Sequence, residues 1–112
     1  MHSKELTKGT LLPIILKLLS DHGKMYGYEI TQRVREKTGG KIDISEGALY
    51  PILHKLEADK ILATESEYIG KRVRKYYKIT ENGKSVVAQR ISELNDFIET
   101  LSILFNNQPV PR

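Results

Sequence analysis

The sequence contains no cysteine, so neither a disulfide framework nor a thiolate metal site is available to it. Tryptophan is also absent and only two phenylalanines occur, which leaves six tyrosines as the main aromatic stock. Nor is there an uninterrupted apolar run near the ~18 residues a membrane-spanning helix needs. The densest stretch, Leu11–Leu19, follows Lys4 and Lys8 as a leader segment might. Pro13 and Lys17 interrupt it and no small-residue cleavage site follows, so it is expected as a buried first helix of a cytoplasmic protein with no membrane partner.

What is present suits one small domain. A chain of 112 residues is long enough for a modest core and too short for two. Its 18 Lys+Arg against 14 Asp+Glu give a net charge of +4 and a pI near 9.3, a bias compatible with nucleic acid without requiring it.

The patterns along the chain fall into a clear order. Thr10 is expected to cap a first helix whose stripe is Leu12, Ile15, Leu16 and Leu19, with Pro13 harmless in the opening turn and Gly23 at the end. A second helix is expected from Tyr26 to Thr38, stopped by Gly39–Gly40, with Ile30 and Val34 four apart. Lys41–Ile44 is short and partly β-branched, and reads as a one-bridge strand. Ser45 then caps a third helix ending near Asp59, with Leu49, Ile52, Leu53 and Leu56 inward. Pro51 sits inside it, and its missing donor would have reached the carbonyl of Gly47. Two strands follow, Ile61–Tyr68 and Arg72–Ile79, joined by a turn at Ile69–Gly70–Lys71. Thr80 is expected to cap a long last helix reaching Phe105, about 39 Å at ~1.5 Å per residue. Asn106–Arg112 reads as a disordered tail.

Three short helices followed directly by a hairpin is the layout of a winged helix-turn-helix. The expected fold class is therefore mainly α with a β-hairpin: a winged helix-turn-helix over residues 1–79, plus a long C-terminal dimerisation helix over 80–105.

Two features point to partners. Between Lys60 and Lys78 stand Lys60, Lys71, Arg72, Arg74, Lys75 and Lys78 against Glu65 and Glu67, an excess equal to the +4 of the whole chain. Lysine and arginine at a hairpin tip beside a helix-turn-helix are placed to neutralise phosphates. On the third helix the outward residues include Tyr50, Pro51, His54 and Lys55, and such a helix reads base edges chiefly with its N-terminal part. In the last helix Val87, Ile91, Leu94, Ile98, Leu101 and Phe105 are spaced 4, 3, 4, 3, 4, a heptad seam widened by Phe97 and Leu104. It overhangs a small domain and asks for a second copy.

No catalytic constellation is found: no nucleophile motif surrounds a serine, and no glycine-rich phosphate loop follows a strand. His2, His22 and His54 lack ligand-like spacing, so neither a metal nor another cofactor is expected, nor enzyme activity.

The segments GTLLPIILKLL, YGYEI, SEGALYPILHKLEADKIL and GKRVRKYYKITENGK together resemble the PadR family of bacterial transcriptional regulators over residues 9 to 105. The single C-terminal helix is similar to that of its smaller subtype. The resemblance implies a homodimeric DNA-binding repressor acting on a pseudo-palindromic operator. Ser45, Tyr50, Pro51, His54 and Lys55 fall on the family's third-helix motif, and Lys71, Arg72 and Arg74 on its wing. Lys75 belongs to the same basic cluster. Family members often respond to small aromatic compounds bound between protomers; Phe97 is the candidate contact here in place of a tryptophan, the alternative being a core or dimer role for it. Lys55 stands where arginine is common, losing bidentate recognition. Lys60 stands where glycine usually ends the third helix, at a cost of ~1 kcal/mol if the site is left-handed. The competing expectation is a winged-helix protein–protein adapter that binds no nucleic acid.

Overall fold

The computed structural model describes residues 4–106. A five-residue helix, α1 (Lys4–Lys8), precedes α2 (Leu11–His22), in which Leu11, Ile15, Leu16, Leu18 and Leu19 are buried. Pro13 lies in the first turn of α2, where its missing N–H breaks no helical bond. Thr10 holds the cap position without capping: its hydroxyl donates to the carbonyl of Thr7 at 2.8 Å, closing the turn behind α1.

Strand β1 (Met25–Tyr26) leads into α3 (Gly27–Lys37), whose Ile30, Thr31 and Val34 face inward. Gly39 and Gly40 follow at φ 59° and 81°, conformations that stop a helix and favour glycine. The expected strand at Lys41–Ile44 does not form. That segment is a loop held by Thr38, whose side chain accepts from the Ile42 N–H at 3.1 Å, while Ile44 plugs the core.

Helix α4 (Glu46–Ala58) begins where expected, with the Ser45 side chain accepting from the Ala48 N–H at 3.2 Å. It runs unbroken through Pro51, so the proline interrupts the helix's hydrogen bonding without ending it. The helix closes in a Schellman turn. Lys60 takes φ 60°, its N–H donates to the Glu57 carbonyl, and the Ile61 N–H donates to that of Leu56, each at 3.0 Å. Among the described residues Lys60 is the one non-glycine residue at positive φ.

The hairpin comprises β2 (Leu62–Ile69) and β3 (Arg72–Ile79), turning at Gly70 with φ 61°. Strand β1 adds to the far side of β3, giving an antiparallel sheet in the order β1-β3-β2 with Met25 opposite Tyr77 and Tyr26 opposite Tyr76. After β3 the Thr80 hydroxyl donates to the Lys60 carbonyl at 2.7 Å and accepts from the Gly83 N–H at 2.9 Å. Thr80 thus caps a turn, and the last helix, α5 (Lys84–Asn106), starts four residues later than expected. Gly83 is required there, since a Cβ would lie 2.5 Å from the Ile61 carbonyl oxygen. The expected tail from Asn106 onward lies outside the described residues, apart from Asn106 itself, which ends α5.

One core unites α2, α3, α4, the sheet and the start of α5, centred on Ile15, Leu16, Leu19, Met25, Ile30, Leu49, Leu53, Leu62 and Tyr77. None of the described helices is long and apolar enough to cross a membrane.

Candidate nucleic-acid interface

The packing of α4 against β2 and α3 determines which side chains it leaves outside. With Leu49, Leu53 and Leu56 buried, Pro51, His54 and Lys55 are exposed. Tyr50 is half-buried instead. Its ring lies over Gly27 at the start of α3, where a Cβ would stand 2.8 Å from the ring's Cζ, so glycine makes room for it. Burial pushes the Tyr50 phenol above the usual tyrosine range, helped by the nearby Glu46 and Tyr77. The tyrosine therefore joins α3 to α4 as well as facing the groove beside them, and its ring centroid is 6.1 Å from that of His54.

That groove has a volume of about 370 Å³ and is lined by Tyr26, Tyr28, Tyr50, His54, Arg74 and Lys75 among others. It thus brings together four of the expected site residues, Tyr50 and His54 from the helix and Arg74 and Lys75 from the wing, on one concave surface. An adjoining hollow of about 520 Å³ is formed by Tyr26, Tyr28, Arg72, Val73 and Arg74. Ser45 and Pro51 line neither, and the Ser45 hydroxyl is committed to the α4 cap.

The cations of the wing divide into two sets. Lys75 Nζ lies 3.4 Å from Glu57 Oε1 and 5.4 Å from the Tyr77 ring centroid, so it turns toward α4. Lys78 lies 3.6 Å from Glu65 Oε1. Lys71, Arg72 and Arg74 form no ion pair among the described residues. Arg74 instead stacks its guanidinium on Tyr26, with Cζ 4.5 Å from the ring centroid. The uncompensated positive charge is therefore at the hairpin tip and on the face toward the groove, where an anionic backbone would meet least competition from carboxylates.

Tyr26 and Tyr28 belong to this surface and are not among the site residues the sequence pointed to. The signal available was the pair of tyrosines flanking Gly27. Their role depends on β1 pairing with β3, which no local pattern announces. Among the described residues no group of three or more His, Asp or Glu side chains could hold a metal ion.

The expected seam on α5 splits. Val87 is corrected to a core residue at 4 % exposure, because the first turns of α5 pack on α2. Ile91 and Leu94 are half-buried and line an apolar cavity of about 350 Å³ with Pro13, Ile14, Val34 and Ile42. Beyond them Phe97, Ile98, Leu101, Leu104 and Phe105 lie exposed, Leu104 and Phe105 at 70 % and 75 %. An apolar face of that extent on one helix is a candidate protein contact.

The sequence pattern described as "Transcriptional regulator PadR-like family" matches residues 15–89. An uncharacterized protein of Lysinibacillus sphaericus is 30% identical over 104 residues, spanning 92% of this chain and 94% of that one. The structure of a transcriptional regulator from Clostridium thermocellum aligns with a TM-score of 0.77 at 30% identity, covering 94% of this chain and 99% of the other. That of a PadR family regulator from Eggerthella lenta aligns at 0.76 and 28%, covering 93% and 88%.

Proposed function

Because this chain belongs to the PadR-like family of transcriptional regulators, we propose that it binds double-stranded operator DNA as a homodimer in the cytoplasm and represses the genes beside that operator. The observation that carries this reading is the groove in which Tyr50 and His54 of α4 meet Arg74 of the wing, with Arg72 in the adjoining hollow, both arginines and Lys71 of the hairpin turn forming no ion pair among the described residues. Helix α4 enters the major groove with Tyr50, His54 and Lys55 toward the bases, and the wing lies along the adjacent phosphates. Ser45 and Pro51 shape the helix's N-terminal turns. Lys75 braces the wing against α4 through Glu57.

The second copy docks on the exposed part of α5, through Ile98, Leu101 and Phe105 with Phe97 and Leu104 beside them. This pairs two α4 helices across a two-fold axis, so the operator is a pseudo-palindrome with half-sites about one helical turn, roughly 34–36 Å, apart. A small aromatic effector stacking on Phe97 between the copies releases the DNA.

Selection of bound duplexes from a random library tests the reading. A two-fold-related motif with half-sites one turn apart is expected. Failure to retain any duplex at low salt overturns it and favours the adapter alternative.

A further inference from the structure

On the outer face of the sheet, the register sets Glu65 opposite Tyr76 and Glu67 opposite Arg74. Directly opposed antiparallel residues have Cβ atoms ~5 Å apart, well within reach of an arginine–carboxylate pair. Glu67 is nevertheless turned away from Arg74. Its carboxylate accepts a hydrogen bond from Lys24, the residue just before β1. Lys24 Nζ also lies 3.6 Å from Glu65 and 5.2 Å from the centroid of the Tyr76 ring. The hydrogen bond that Lys24 donates to Glu67 holds its ammonium above the usual lysine range.

The aromatic pair beneath completes the arrangement. Tyr26 and Tyr76 meet edge to face with centroids 5.5 Å apart, and Arg74 rests on Tyr26 while Lys24 rests on Tyr76. The two carboxylates differ in their alternatives. Glu65 has a second cation in Lys78 at 3.6 Å, whereas Glu67 has only Lys24 among the described residues. Without the lysine, Glu67 would be the unpaired carboxylate and Arg74 the unpaired cation facing it.

We propose that Lys24 is a positioning residue for DNA contact: by holding Glu67, it keeps Arg74 unpaired on the Tyr26 ring and available to a phosphate. The proposal rests on the reading of the wing as the phosphate-contacting element. Arginine binds carboxylate and phosphate with the same fork of donors, so a neighbouring carboxylate competes directly with the DNA backbone. Lys24 removes that competitor.

Two measurements on the full chain test this. The first needs no DNA. In Lys24→Met, which keeps the side chain's length over Tyr76, the Arg74 Nε–Hε resonance shifts downfield as Glu67 pairs with it. Adding Glu67→Gln abolishes the shift. An Arg74 resonance unmoved by Lys24→Met overturns the proposal, whatever the fate of the DNA reading.

The second is duplex affinity near physiological salt, where distant charges are screened. Lys24→Met weakens binding about two- to fivefold, the range expected of an exposed ion pair acting as competitor. In the Glu67→Gln background the same change has no measurable effect. An equal loss in both backgrounds shows Lys24 acting by its own charge and overturns the proposal, as does no loss in either. Loss of duplex binding by the unaltered protein would instead sink the reading of the wing, leaving the resonance to decide the role of Lys24.

Discussion

Lys75 and Glu57 approach to 3.4 Å across the junction of β3 and α4, although they are 18 residues apart in the chain. The contact separates Lys75 from its basic neighbours. Arg72, three residues earlier in the same strand, forms no ion pair among the described residues.

The two residues should therefore behave differently on DNA. Each phosphate contact contributes about −0.9 to the slope of log affinity against log salt. Arg72→Ala is expected to reduce that slope by about one contact and to weaken all duplexes alike. Lys75→Ala should leave the slope nearly unchanged, because its charge is already engaged by Glu57. Fluorescence anisotropy between 50 and 200 mM salt reads both, and equal slopes for the two variants would refute the division of the wing.

Lys60 holds a left-handed conformation that costs an L-residue ~1–2 kcal/mol, part of which glycine returns as greater freedom when unfolded. Lys60→Gly should stabilise the fold by roughly 0.5–1 kcal/mol, since the Schellman hydrogen bonds use only backbone atoms. A higher urea midpoint at unchanged m-value is the expected result.

Tyr50 gives a pH prediction. Its folded phenol titrates above the unfolded one because burial disfavours the phenolate. The stability this contributes is fully present below the ordinary tyrosine value of ~10 and is lost as pH rises through the higher folded value. Urea midpoints followed into the alkaline range should fall less steeply for Tyr50→Phe than for the parent chain. Parallel curves would show that burial of the ring carries no such penalty.

Along α5, Val87→Asp and Ile98→Asp test where core ends and partner contact begins. Val87 is buried, so a carboxylate there should cost about 3 kcal/mol or more and unfold the domain. Ile98 is exposed in the protomer, so Ile98→Asp should leave the fold intact by circular dichroism and give monomers by light scattering. An unchanged dimer would place the contact elsewhere.

Local chemistry made much of this legible. The alternation of Arg72–Ile79 located β3 to the residue, and Ser45 marked the start of α4, because strand period and helix capping depend on neighbours in the chain. The two misread strands share one cause. Lys41–Ile44 has strand-forming residues and no strand beside it, whereas Met25–Tyr26 has little local signal and becomes a strand because β3 lies alongside.

The same division holds for the proposed DNA surface. The sequence by itself determined the order of elements, the excess of cations near the wing and the apolar spacing of the last helix, all properties of residues close together. Tertiary structure decided which cations remain unpaired, since Glu57 reaches Lys75 and Lys24 reaches Glu67 over 18 and 43 residues. It also decided that Val87 belongs to the core and Phe105 to the surface, because a heptad spacing is the same whichever neighbour covers it.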